Sequence, residues 1–143
     1  METKIKELVD GAQKIVILQA DNPDADSLAS TLALEQILGE MGKQTYLYCG
    51  IDMPAYLKYL SGWDRVNSEL ASSFDLSIIV DASTMTLFQK LAGSGKQGWV
   101  ASKPCIVLDH HSEVDNQIPF ATANLIVNGG AESGTSEIGR AHV

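Results

Sequence analysis

The sequence predicts an α/β fold, a doubly wound and mainly parallel sheet flanked by helices, and three observations predict it. The runs IVIL, SIIV and CIVL are continuously apolar rather than alternating, as strands covered on both faces are. Strand-like runs alternate along the chain with segments of helical apolar spacing. The first strand, the helix after it and the next strand follow one another with no room for a hairpin, so the strands run parallel through right-handed connections.

The elements follow in order. METKIKELVDGAQK is a short amphipathic lead-in without the apolar core of a signal peptide. KIVILQA, 14–20, is the first strand, and DNPDADS turns the chain. LASTLALEQILGEMG then places Leu28, Leu32, Leu34, Ile37, Leu38 and Met41 at helical spacing, and Gly42 stops it. QTYLYCG, 44–50, is the next strand. A short helix is expected from Pro54, as PAYLKYLSG, because proline suits a first helical turn and Gly62 closes the pattern. DLSIIVDAS, 75–83, is a strand, MTLFQKLAG a helix, and KPCIVLDHH, 103–111, a strand. FATANLIV, 120–127, is a candidate further strand, followed by the small-residue stretch NGGAESGTS.

A length of 143 residues suits one domain. Apolar content of 45% with 20% charged residues fits a soluble globular chain. The apolar runs are strand-sized, so no membrane partner is expected and the cytoplasm is the expected location. Cys49 and Cys105 lack the spacing of a zinc site or disulfide framework and read as core thiols. A net charge of −8 argues against a surface that coats nucleic acid, so phosphate chemistry here needs local cations.

Ligands of open parallel sheets collect at the carboxyl ends of the strands. Asp24 and Asp26 follow the first strand, Asp81 ends the strand of 75–83, and Asp109, His110 and His111 end the strand of 103–111. Each cluster also has a plain structural role. NPDADS makes a turn and helix cap with Asp26 or Ser27 as acceptor, Asp81 a strand-end cap, and the histidine pair a loop. Together, carboxylates on one rim repel unless a cation lies between them. Carboxylate oxygen mixed with histidine nitrogen suits manganese, or magnesium with more water. Adjacent histidines on an extended chain point to opposite sides, so one can bind metal while the other faces a phosphate or water.

These segments, NPDADSLAS, IIVDAS and VLDHHSEVDN in that order, resemble the DHH phosphoesterases, and PAYLKYLSGWDRV resembles the branch that degrades very short oligoribonucleotides and dephosphorylates adenosine bisphosphate. The resemblance implies two ions, Mn2+ or Mg2+, with Asp24 on the first, Asp26 on the second, Asp81 bridging, and His110 on the second. His111 would face the scissile phosphate, and Asp109 would orient the histidines. The implied chemistry is in-line attack of metal-activated water on phosphorus. The implied partner is a short oligonucleotide or nucleotide phosphate, and a homodimer is compatible. The alternatives are an inorganic pyrophosphatase or exopolyphosphatase, and a catalytically silent nucleotide-binding regulatory module.

Two departures qualify the resemblance. The family usually has a histidine four residues before the leading aspartate, where this chain has Ala20, with Gln19, Asp21, Asn22 or water as substitutes. A later aspartate ligand and a C-terminal substrate-binding domain, usual in the family, are also expected to be missing. The last residues, EIGRAHV, can be back-translated to a string that closely resembles a common sequencing-library adapter. The expected division is therefore 1–136 as an incomplete DHH N-terminal domain and 137–143 as a non-native tail. With both sites short of a ligand, the chain is expected to bind metal weakly and turn over little substrate.

Overall fold

The computed structural model describes residues 2–81, 88–109 and 121–126. The expected sheet is present. Six strands are described: β1 (Lys14–Gln19), β2 (Gln44–Cys49), β3 (Val66–Asn67), β4 (Leu76–Val80), β5 (Cys105–Asp109) and β6 (Ala123–Ile126). They lie in the order β3-β2-β1-β4-β5-β6, and every neighbouring pair is parallel. The chain builds outward from β1 to β3, then returns to place β4 on the other side of β1. That reversal is the switch point at which a doubly wound sheet opens a crevice at its carboxyl edge.

Helices cover both faces, which explains the unbroken apolar runs. On one face α1 (Glu2–Asp10) and α2 (Ala25–Glu40) bury Ile5, Val9, Leu34 and Leu38 against Ile15, Ile17, Leu47, Ile78 and Ile106. On the other, α3 (Gln89–Gly93) and α4 (Gln97–Ala101) contribute Leu91 and Val100, packed with Phe88, Val16, Leu18, Ile79 and Val107. All five residues of β4 are buried. Each fully buried leucine or isoleucine contributes roughly 1.5–3 kcal/mol from leaving water. Both thiols lie in this interior as expected, and burial pushes Cys49 and Cys105 up to about 11, so neither is a reactive thiolate near neutrality.

Helix α2 is capped at both ends by sequence-encoded devices. Asp24 is its N-cap, in extended conformation. At the other end Gly42 has φ 82, while its N–H bonds to Gly39 and that of Lys43 to Leu38. This paired closure satisfies carbonyls that the last turn would otherwise leave open, and the positive φ is why glycine stands there.

Several expectations are corrected. PAYLKYLSG is not an α-helix; it forms a 3-10 turn at Ala55–Leu57, followed by a second at Trp63–Arg65 that leads into β3. Leu57 and Leu60 are the residues that reach the Leu28, Cys49 and Met53 cluster, and a spacing of three suits the tighter 3-10 period. The lead-in is helical as α1, and both α4 and the two-residue β3 escape the apolar pattern because they are so short. Of the expected helix MTLFQKLAG, the part from Gln89 is helical, while 82–87 lie outside the described residues. Among the described residues no helix is long and apolar enough to cross a membrane.

Candidate functional site

The site is built by register. Leu18 pairs with Ile79, and Val80 with Leu108. Two residues beyond Leu18 and one beyond Val80 and Leu108, Ala20, Asp81 and Asp109 stand level at the carboxyl edge of β1, β4 and β5. The ladder continues there, since the N–H of Asp81 donates to Leu108 O at 2.9 Å. Gln19 pairs with Cys49, which puts Gly50 on the same level at the end of β2.

Asp81 adopts φ 57, the only non-glycine residue at positive φ among the described residues. The left-handed region is costly for residues with a Cβ, and such departures cluster where a side chain must be aimed. Here it turns the chain sharply out of β4 at the switch point.

The turn after β1 is held by a small polar network. Asp24 Oδ1 accepts from Ser27 N at 2.8 Å, and Ser27 Oγ accepts from Asp24 N at 3.0 Å, a reciprocal cap. The helical amide is thus capped by Asp24 rather than by Asp26 or Ser27, whose hydroxyl only returns the bond to the Asp24 N–H, because Asp24 is the last extended residue and its carboxylate reaches the third helical amide. The Ser27 hydroxyl proton faces Gln19 Oε1 and Asp24 O, each 3.1 Å away. Gln19 is fully buried, and its Nε2 has no hydrogen-bond partner among the described residues. Asp26 lies exposed in the first turn of α2, where the helix dipole favours a negative charge.

Asp21 leaves the rim toward α3. Its Oδ2 accepts from Lys90 N at 2.9 Å, while Oδ1 is buried without a hydrogen-bond partner among the described residues. A Cβ on Gly50 would stand 2.5 Å from that Oδ1 and 2.6 Å from Lys90 Cβ, so glycine is required there. Sequence reasoning missed Gly50 and Lys90, although a glycine directly after the strand run YC was a signal for close approach.

Asp24, Asp26, Asp81 and Asp109 are therefore carried to one edge of the sheet by their elements. Among the described residues no three His, Cys, Asp or Glu side chains form a group able to hold a metal ion. His110 and His111 lie outside the described residues, and Asp109 is described through its backbone. Of the candidates to replace the usual histidine, Gln19 is engaged with Ser27, Asp21 with Lys90, and Asn22 is exposed.

A model of the DHH family, N-terminal domain, matches residues 14–140. No curated protein matches the chain. Among solved structures, the crystal structure of an exopolyphosphatase-related protein from Bacteroides fragilis superposes with a TM-score of 0.71 at 19% identity. That match covers 87% of this chain and 38% of the other, so the chain spans well under half the length of this relative. At that identity the likeness establishes the α/β architecture.

Proposed function

The chain belongs to the DHH family, and on that premise we propose that it is the metal-binding domain of a phosphoesterase acting on short oligonucleotides or nucleotides. The observation that carries the proposal is the register that sets Asp81 and Asp109 level at the switch point, with the Asp24 and Asp26 turn leaving the adjacent strand. Family membership supports a hydrolase of phosphate esters; the choice of nucleotide substrates follows the resemblance of the PAYLKYLSGWDRV segment.

By donor chemistry, the carboxylate oxygens of Asp24, Asp26 and Asp81 suit hard divalent cations, manganese or magnesium. Asp24 spends Oδ1 on its cap, and Oδ2 has no hydrogen-bond partner among the described residues. Asp26 is exposed beside it, and Asp81 ends β4 in a left-handed conformation. Asp24 and Asp26 would hold one ion each, Asp81 both, and His110 the second. Bound there, such ions supply charge neutralisation for the phosphate and acidify water for attack. His111 would face the phosphate, with Asp109 orienting the histidine pair. The reciprocal Asp24–Ser27 cap would keep the Asp24 carboxylate fixed at the rim and so lower the ordering cost of binding.

Ala20 favours a second reading, a regulatory module that binds nucleotide without cleaving it, since the usual imidazole is missing from the end of β1. The experiment is manganese titration followed by electron paramagnetic resonance, on the chain and on an Asp24→Ala, Asp26→Ala double variant. The proposal expects saturable binding in the first and its loss in the second, with a dinucleotide shifting the manganese spectrum. Equal manganese binding by both proteins would contradict it. A full-length version that binds the dinucleotide without cleaving it would favour the module.

A further inference from the structure

A tyrosine at a protein surface ordinarily rests its ring on the protein and turns its hydroxyl to water. Tyr56 does the reverse. Its hydroxyl donates to the carbonyl oxygen of Pro23 at 3.2 Å, while 67% of the residue remains exposed. Pro23 immediately precedes Asp24, so the phenol is pinned to the acidic turn with its apolar surface outward. Tyr59, three residues on, is 72% exposed. The same spacing that sends Leu57 and Leu60 into the cluster with Leu28 and Met53 leaves these two tyrosines outside. Lys58, between them in sequence, is turned over the Trp63 ring at 4.7 Å and does not cover them.

We propose that Tyr56 is a stacking face for the nucleobase of a nucleotide whose phosphate sits at the acidic turn, with Tyr59 extending the platform. This rests on the phosphoesterase reading above and narrows it to substrates that carry a base. An aromatic ring adds nothing to holding pyrophosphate or polyphosphate, which have no apolar part. A base can lay its π-face on a phenol beside carboxylates without adding a charge, and such stacking tolerates any base. Fixing the hydroxyl to Pro23 orders the ring before the ligand arrives, which reduces the entropy lost on binding.

The test is calorimetric titration of the manganese-loaded chain with the dinucleotide pApA and, separately, with pyrophosphate. The proteins are wild type, Tyr56→Ala, Tyr56→Phe and Asp24→Ala. Stacking predicts that Tyr56→Ala weakens pApA binding by about tenfold, within the range for one base on one ring, and leaves pyrophosphate binding unchanged. Tyr56→Phe keeps the ring and should retain most pApA affinity. Equal weakening of both ligands by Tyr56→Ala, or of neither, overturns the platform. So does a change in sedimentation by Tyr56→Ala without a change in pApA affinity, since the tyrosines would then serve a protein interface. Wild type that binds pyrophosphate but not pApA overturns the platform while the metal-centre reading stands. If Asp24→Ala leaves both ligands bound as in wild type, the underlying phosphoesterase reading fails instead.

Discussion

The side chain of Asp21 reaches across the end of β2 to the backbone of Lys90, its Oδ2 accepting from that N–H at 2.9 Å. This bond ties the turn after β1 to the first turn of α3. Gly50 makes it possible by leaving no Cβ in its path. Two of the segments that frame the carboxyl edge are therefore fixed to each other rather than hanging independently from their strands.

Gly50→Ala should accordingly destabilise the fold by about 1–3 kcal/mol, because the new methyl meets a carboxylate oxygen and a Cβ that must both shift. Denaturant unfolding of the variant checks this. Asp21→Ala in the same background should recover part of the loss, since it removes the nearer clash. Additive destabilisation would contradict the shared contact.

The cap and ligand roles of Asp24 are separable. Asparagine caps helices as well as aspartate does, whereas its neutral amide is a poor ligand for a divalent cation. Asp24→Asn should leave the midpoint of thermal unfolding nearly unchanged and weaken manganese binding. Ser27→Ala should do the opposite, costing about 1 kcal/mol of stability with a smaller effect on the ion. Paired unfolding and manganese titrations of the two variants distinguish the roles.

Asp75 lies at the opposite edge of the sheet, where its Oδ2 accepts from Lys14 N at 2.9 Å and Gln13 N at 3.0 Å. These bonds, the one to Lys14 foremost, hold its carboxyl below the ordinary range. A lowered folded pKa gives stability that is complete above the unfolded value and is lost as pH falls through the folded one. Asp75→Ala should therefore lower stability at neutral pH and flatten its acid dependence. Thermal melts between neutral pH and the acid side of the carboxylate range measure both.

Ala20→His should tighten manganese binding, because Ala20 ends β1 level with Asp81 and takes the place of the family's usual histidine; it should also cost stability, since Ala20 is buried in the cluster with Phe88 and Leu91. The same titration is the check. Unchanged affinity would mean either that Gln19, Asp21 or Asn22 already fills that role or that the end of β1 does not border the metal site.

The sheet was legible in the sequence because β1, β4 and β5 are buried on both faces and carry continuous apolar runs. The acidic turn was legible because NPDADS combines turn residues with helix-capping side chains directly before a helical apolar pattern. Local geometry was not. PAYLKYLSG shows an apolar spacing of three at Leu57 and Leu60 that a short helix shares, and only the packing against Leu28 and Met53 selects the 3-10 turn. The left-handed conformation of Asp81 leaves no mark in composition, since aspartate is also ordinary at strand ends. The Asp21–Lys90 bond joins residues far apart in the chain and has no local signature.

Asp81 is the one carboxylate proposed to serve both ions, and Asp81→Asn removes it. Asparagine tolerates the left-handed backbone at least as well as aspartate, so the fold should persist while the carboxylate proposed to serve both ions is lost. Manganese titration by electron paramagnetic resonance, with thermal unfolding of the same samples, is the measurement. Affinity should fall by roughly tenfold or more, at least the cost seen when mere outer partners of a ligand are removed, with the unfolding midpoint retained. Manganese bound by Asp81→Asn as tightly as by the wild type would contradict a metal centre at the carboxyl edge of this sheet.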